Sequence, residues 1–80
     1  MQIYQSNIHK SMQKQVTFFL NGEKTIMQAK TLHDLLQELS IDVNKIAIEK
    51  DLTIIHRNEL DKTFIENNCK IEIVHFIGGG

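Results

Sequence analysis

Three glycines, Gly78, Gly79 and Gly80, close the 80-residue sequence, and they follow the run Ile71-Glu72-Ile73-Val74-His75-Phe76-Ile77 with no turn between. A terminal glycine stalk presents an α-carboxylate on backbone that tolerates φ of either sign, so an enzyme can draw it into a narrow channel. Gly80 has no β-carbon to crowd attack at its carbonyl. Its carboxylate is the candidate reactive group, and Gly78 and Gly79 are the flexible reach behind it. A free carboxylate is a poor electrophile. It must first be joined to a leaving group by an enzyme that aligns the two reactants.

The other residue types capable of chemistry are scattered. His9, His33, His56 and His75 fall on four separate segments without ligand spacing, so no metal site is expected. Cys69 is the single cysteine and cannot close a disulfide within the chain. It reads as a small hydrophobe at a strand end, the alternative being acceptance of sulfur as a persulfide or a mixed disulfide with a partner. Asp34 and Glu38 belong to the polar face of a helix, not to a cleft. No nucleophile has a base beside it, and no glycine loop opens a helix in the manner of a phosphate site. No catalytic residue and no bound cofactor are therefore expected, and the chain is not expected to be an enzyme by itself.

Eighty residues allow one small core. Lys plus Arg number 9 against 10 Asp plus Glu, a balance that gives no electrostatic pull toward nucleic acid or membrane. No segment has the roughly 20 apolar residues of a membrane span, and the N-terminus lacks a signal-peptide core. A cytoplasmic location is expected, with an organelle interior such as the plastid stroma also open.

Positioning the tail falls to the elements before it. Residues 1–14 are polar and without period, and read as a poorly ordered extension; a domain over 15–77 and the tail 78–80 follow. Val16, Phe18 and Leu20 alternate, Asn21-Gly22 interrupts, and Thr25 to Met27 resume, which predicts a hairpin of strands at 15–20 and 23–28 with both central residues at positive φ. Thr31-x-x-Asp34 is a helix-start spacing, and Leu32, Leu35, Leu36 and Leu39 then form one stripe over a helix at 31–40. A strand at 45–50 with Ile46 and Ile48 inward and a short extended piece at Leu52 to Ile55 come next. Leu60 and Phe64, four apart, suggest a helical turn within 58–66, and Asn67-Asn68 turns the chain into a last strand at 70–77. The order requires a sheet to cover the leucine stripe. An α+β β-grasp arrangement, ubiquitin-like, with a mixed sheet of four to five strands on one main helix, satisfies it. With Ile71 and Ile73 turned to that helix, Glu72, Val74 and Phe76 emerge on the opposite face as a docking surface for partners.

These residues also resemble a known family. The segment Ile71 to Gly80, the Leu20-Asn21-Gly22-Glu23 turn, the Thr31 to Leu39 helix and Arg57 with its polar turn look like those of ThiS, the sulfur carriers of thiamine biosynthesis, over about residues 16–80. Ile55-His56-Arg57 stands where the family commonly has Val-Pro-Arg, Leu60 where it has an aromatic residue, and Asn67-Asn68-Cys69 where it has Asp-Gly-Asp. Asn68 can keep that turn because Asn tolerates left-handed backbone. The resemblance implies that a ThiF-like adenylyltransferase uses ATP to convert the Gly80 carboxylate to an acyl-adenylate, and that sulfur from a cysteine-derived donor replaces AMP. The resulting thiocarboxylate would feed a ThiG-like thiazole synthase. Two alternatives share the fold and stay open at this point: the small subunit of molybdopterin synthase, and a ubiquitin-like modifier or interaction module.

Overall fold

Asn21-Gly22 turns the chain as the sequence predicts: the two residues have φ of 50° and 83°, and strands β1 (Val16–Leu20) and β2 (Glu23–Met27) pair antiparallel on either side. The structure is a computed structural model that describes residues 15–28 and 30–76. The expected N-terminal extension and glycine tail lie outside the described residues.

Helix α1 (Leu32–Glu38) begins at Thr31 with reciprocal capping. The Asp34 amide donates to Thr31 Oγ1 at 3.1 Å and the Thr31 amide donates to Asp34 Oδ2 at 3.0 Å. The amides of Leu32 and His33 would otherwise be orphans of the first turn, but they donate to the carbonyls of Thr63 and Leu60. At the other end Ser40 takes φ of 56°, and the amides of Ser40 and Ile41 donate back to the carbonyls of Gln37 and Leu36. This is the Schellman arrangement. It ends the helix at Glu38, two residues before the expected end: Leu39 is 38% exposed, and half-buried Ile41 packs on the core in its stead.

Strand β3 (Ile46–Lys50) follows a 3₁₀ turn at Val43–Lys45, and β4 (Thr53–Ile54) folds back on it through Asp51-Leu52. Residues 58–66 differ from the expected helical turn. A 3₁₀ turn at Arg57–Glu59 leads to buried Leu60; Phe64 then bridges Thr31 in extended form and is 59% exposed, while Ile65 fills the core. The segment crosses the start of α1 and supplies its carbonyls there, which demands extended backbone; period 2 therefore turns Ile65 inward and Phe64 outward.

Strand β5 (Lys70–His75) lies at the centre of the five-stranded sheet, order β2-β1-β5-β3-β4, parallel to β1 and antiparallel to β3. Helix α1 covers one face. Phe18, Leu32, Leu35 and Ile71 are fully enclosed there, and Leu36, Ile46, Ile48, Leu60, Ile65, Cys69 and Ile73 complete the core. Sheet and helix form the β-grasp arrangement expected from the sequence. No helix of the described residues is long and apolar enough to cross a membrane.

Candidate functional site

The strand that leads to the glycines is held from both sides. On the β3 side its ladder runs from Lys50↔Ile71 to Ile46↔His75, and the Phe76 amide donates to the Lys45 carbonyl at 2.9 Å. On the β1 side direct pairing ends at Leu20↔Ile71, and Asn21 continues it. The Asn21 amide donates to the Ile71 carbonyl, its Oδ1 accepts from the Ile73 amide at 2.7 Å, and its Nδ2 donates to the Ile73 carbonyl at 3.3 Å. One side chain thus stands in for the next peptide of a parallel strand. The turn signal at Asn21-Gly22 is legible in sequence; this second duty of Asn21 is not, because it joins residues 52 apart.

At the strand's start, Asn68 takes φ of 72°, its amide donates to the Thr17 carbonyl, and Asn67 Oδ1 accepts from the Thr17 amide at 3.0 Å. Asn68 therefore meets the backbone need filled by glycine in the family pattern. Cys69 beside it is only 5% exposed and belongs to the core, as the small-hydrophobe reading requires. Its thiol is not presented to a partner.

Alternation along β5 sorts the remaining residues by face. Ile71 and Ile73 are buried, whereas Glu72 is exposed and Val74 and Phe76 are 60% and 61% exposed. The structure thus brings Glu72, Val74 and Phe76 to the uncovered side of the sheet. Across the ladder, exposed Ala47 stands opposite Val74 and Glu49 opposite Glu72; on the next strand Ile54, 62% exposed, stands opposite Glu49. Ala47 and Ile54 extend the apolar patch beyond β5. Period 2 in β3 could have found Ala47, which alternates with buried Ile46 and Ile48; Ile54 sits on a two-residue strand too short to show a period. Gly78, Gly79 and Gly80 lie outside the described residues.

The scattered polar residues stay apart. His33, His56 and His75 are exposed on separate elements, and His9 lies outside the described residues. Among the described residues no three His, Cys, Asp or Glu side chains come together as metal ligands. Asp34 is drawn into the cap of α1, where the backbone hydrogen bond from Thr31, with a further one from Lys30, holds its carboxyl below the ordinary range against the opposing effect of burial. Its partners are structural.

The profile of the ThiS family matches residues 11–80. A solved structure of the thiamine biosynthesis protein ThiS from Geobacter metallireducens shares the fold, with a TM-score of 0.70 over 81% of this chain and 100% of that one at 20% identity. A thiazole synthase from Paramagnetospirillum magneticum is 39% identical over 62 residues, which are 76% of this chain but 19% of that protein. The chain thus spans about a fifth of that relative's length. The uncharacterized protein ycf40 of Trieres chinensis is 37% identical over 65 residues, covering 80% of this chain and 89% of that protein. With a family match running from residue 11 to Gly80, across the strand and the patch described above, the chain belongs to the ThiS family.

Proposed function

We propose that this protein carries sulfur to the thiazole-forming step of thiamine biosynthesis as a thiocarboxylate on Gly80, and that it is a protein cosubstrate with no catalysis of its own. The observation that carries the reading is the join between patch and tail: a central, doubly held strand exposes Val74 and Phe76 and leads directly toward Gly78-Gly79-Gly80. The patch gives partners a fixed grip, and the glycines give reach. Glycine carries the largest backbone entropy to lose, so drawing three of them into a channel consumes part of the binding energy and favours release after each transfer.

In the proposed cycle a carboxylate oxygen of Gly80 bonds to the α-phosphorus of ATP and pyrophosphate leaves, on a ThiF-like adenylyltransferase that binds the ATP. Sulfur from a cysteine-derived donor, delivered at the sulfide level, then attacks the carbonyl carbon, and the C–O bond to AMP breaks as the C–S bond forms. The domain supplies alignment, not proton transfer: nothing along β5 or its neighbours offers a base beside a nucleophile. A thiazole synthase is the proposed acceptor. Support for that pairing comes from the P. magneticum protein named thiazole synthase, which contains a stretch like this chain within a much longer polypeptide. The same observation favours the thiazole branch over the molybdopterin synthase subunit.

Appending one alanine after Gly80 tests the reading. Thiocarboxylate formation and thiazole production in a reconstituted system should both disappear while binding to the partners through the patch persists. An extended protein that still supports thiazole formation would remove the terminal carboxylate from the mechanism.

A further inference from the structure

The Arg57 side chain stands apart from the bonds that hold the described residues together. It is exposed on the 3₁₀ turn Arg57–Glu59, and among the described residues its guanidinium makes neither an ion pair nor a hydrogen bond. Two clefts meet at it. One, of about 240 Å³, is lined by buried Ile46, Ile48 and Leu60, with Phe76, His56 and Arg57 also on its walls. The other, of about 160 Å³, includes His33 and Leu36 and shares Val43, Arg57 and Leu60 with the first. The ionisable groups lining the two clefts are His33, His56 and Arg57, and no carboxylate lines either. That bias is local, since the chain as a whole carries a net charge of −1.

We propose that these joined clefts dock an acidic segment of the enzyme that activates the tail. An Asp or Glu carboxylate pairs with Arg57, and an apolar side chain next to it fills the cleft lined by Ile46, Ile48 and Leu60. The inference rests on the sulfur-carrier reading above and names a second contact for the same partner. Charge complementarity selects the acidic group: a guanidinium offers a carboxylate two parallel N–H donors, a geometry that lysine does not match. Continuity selects the partner. Phe76 walls the larger cleft and also belongs to the exposed face with Val74, and its amide is fixed to the Lys45 carbonyl, so cleft and patch meet at the last described residue before the glycines in sequence. An enzyme gripping the patch and drawing in the tail therefore passes over Arg57. Arg57 is a positioning residue here, acting through the grip on the partner and not on the reacting carboxylate.

ATP–pyrophosphate exchange by a ThiF-like adenylyltransferase, with the carrier as varied substrate, reads the contact. Arg57→Gln should raise KM for the carrier about tenfold with kcat unchanged, the loss expected for one charge-assisted hydrogen-bonded pair. Arg57→Glu should raise it further, and KM should become less sensitive to salt in both variants. Lys24→Glu makes the same charge change on β2, at the far edge of the sheet, and should leave KM within about twofold of wild type. Thermal midpoints should be unchanged, because the Arg57 guanidinium makes no bond among the described residues. Equal KM for Arg57→Glu and wild type overturns the inference alone. So does an equal loss in Lys24→Glu, which would mark a general charge effect, or a dimer of wild type that Arg57→Glu dissolves, which would assign the clefts to a second copy. A wild-type carrier that supports no exchange overturns the carrier reading and this inference with it.

Discussion

Leu52 is in an uncomfortable position, and replacing it with glycine should stabilise the protein. It occupies the second place of the two-residue turn between β3 and β4 with φ of 72°, after Asp51 with φ of 50°. Left-handed backbone brings the β-carbon of an L-residue close to the following carbonyl oxygen and costs about 1–2 kcal/mol. At 86% exposed, the side chain returns almost nothing through burial. Glycine removes the clash and adds freedom to the unfolded chain, which costs about 0.4–1 kcal/mol. Leu52→Gly should therefore gain about 0.5–1 kcal/mol, raising the thermal midpoint by about 2–8 °C for a domain of this size. Asp51→Gly is the control. Asp51 has the same sign of φ, but its Oδ1 accepts from the Lys70 amide at 2.9 Å, and losing that bond costs about 0.5–1.5 kcal/mol, enough to cancel the backbone gain. The chain has no tryptophan, so urea and thermal unfolding are best followed by far-UV circular dichroism. A Leu52→Gly protein no more stable than wild type, or an Asp51→Gly protein that gains as much, would refute the assignment of strain to Leu52.

Three further outcomes follow from contacts on β5 and at the start of α1. Asn21→Ala removes both side-chain bonds to Ile73 and puts a residue less tolerant of left-handed backbone at φ of 50°; it should cost about 2–3 kcal/mol and speed hydrogen exchange of the Ile73 amide more than that of Ile48. Unchanged exchange at Ile73 would show that Asn21 does not hold β5. Val74→Arg and Phe76→Ser should change the urea midpoint little, since both side chains are largely exposed, while raising KM for the carrier at its activating enzyme by about tenfold or more; unaltered KM would move docking off this face. The depressed pKa of Asp34 adds stability that is present above the ordinary carboxylate pKa and is lost as pH falls through the lower folded value. The stability gap between wild type and Asp34→Asn should therefore be full near neutral pH and shrink below about pH 4, whereas a gap constant with pH would leave the carboxylate charge no role in the cap.

The parts legible in the sequence were those written as local period or local turn chemistry. Asn21-Gly22, the Thr31-x-x-Asp34 cap, the inward Ile46, Ile48, Ile71 and Ile73, and the outward Glu72, Val74 and Phe76 all follow from spacing within a few residues, and the structure places them as expected. The misses share a cause in tertiary demand. Leu39 fits the leucine period, but Ser40 closes the helix before it because Ile41 can be packed instead. Phe64 fits a helical spacing with Leu60, yet the Leu32 and His33 amides in the first turn of α1 need the carbonyls of Thr63 and Leu60, and the chain extends to supply them. Asp51-Leu52 carries no usual turn signal; Asp51 is fixed by Lys70, 19 residues away. For the site, the strand that precedes the glycines was readable and period 2 within β3 carried Ala47, while Ile54 and the clefts at Arg57 depend on which strands lie side by side, which no local pattern records.

The central claim rests on the chemistry of one backbone carboxyl group. Intact-mass spectrometry of the protein after incubation with ATP, a ThiF-like enzyme and a cysteine-derived sulfur source reads it directly. The expected result is a species heavier by the difference between a sulfur and an oxygen atom, with fragmentation placing the change at Gly80. An unchanged mass, with partners shown to be active on another carrier, would contradict the assignment.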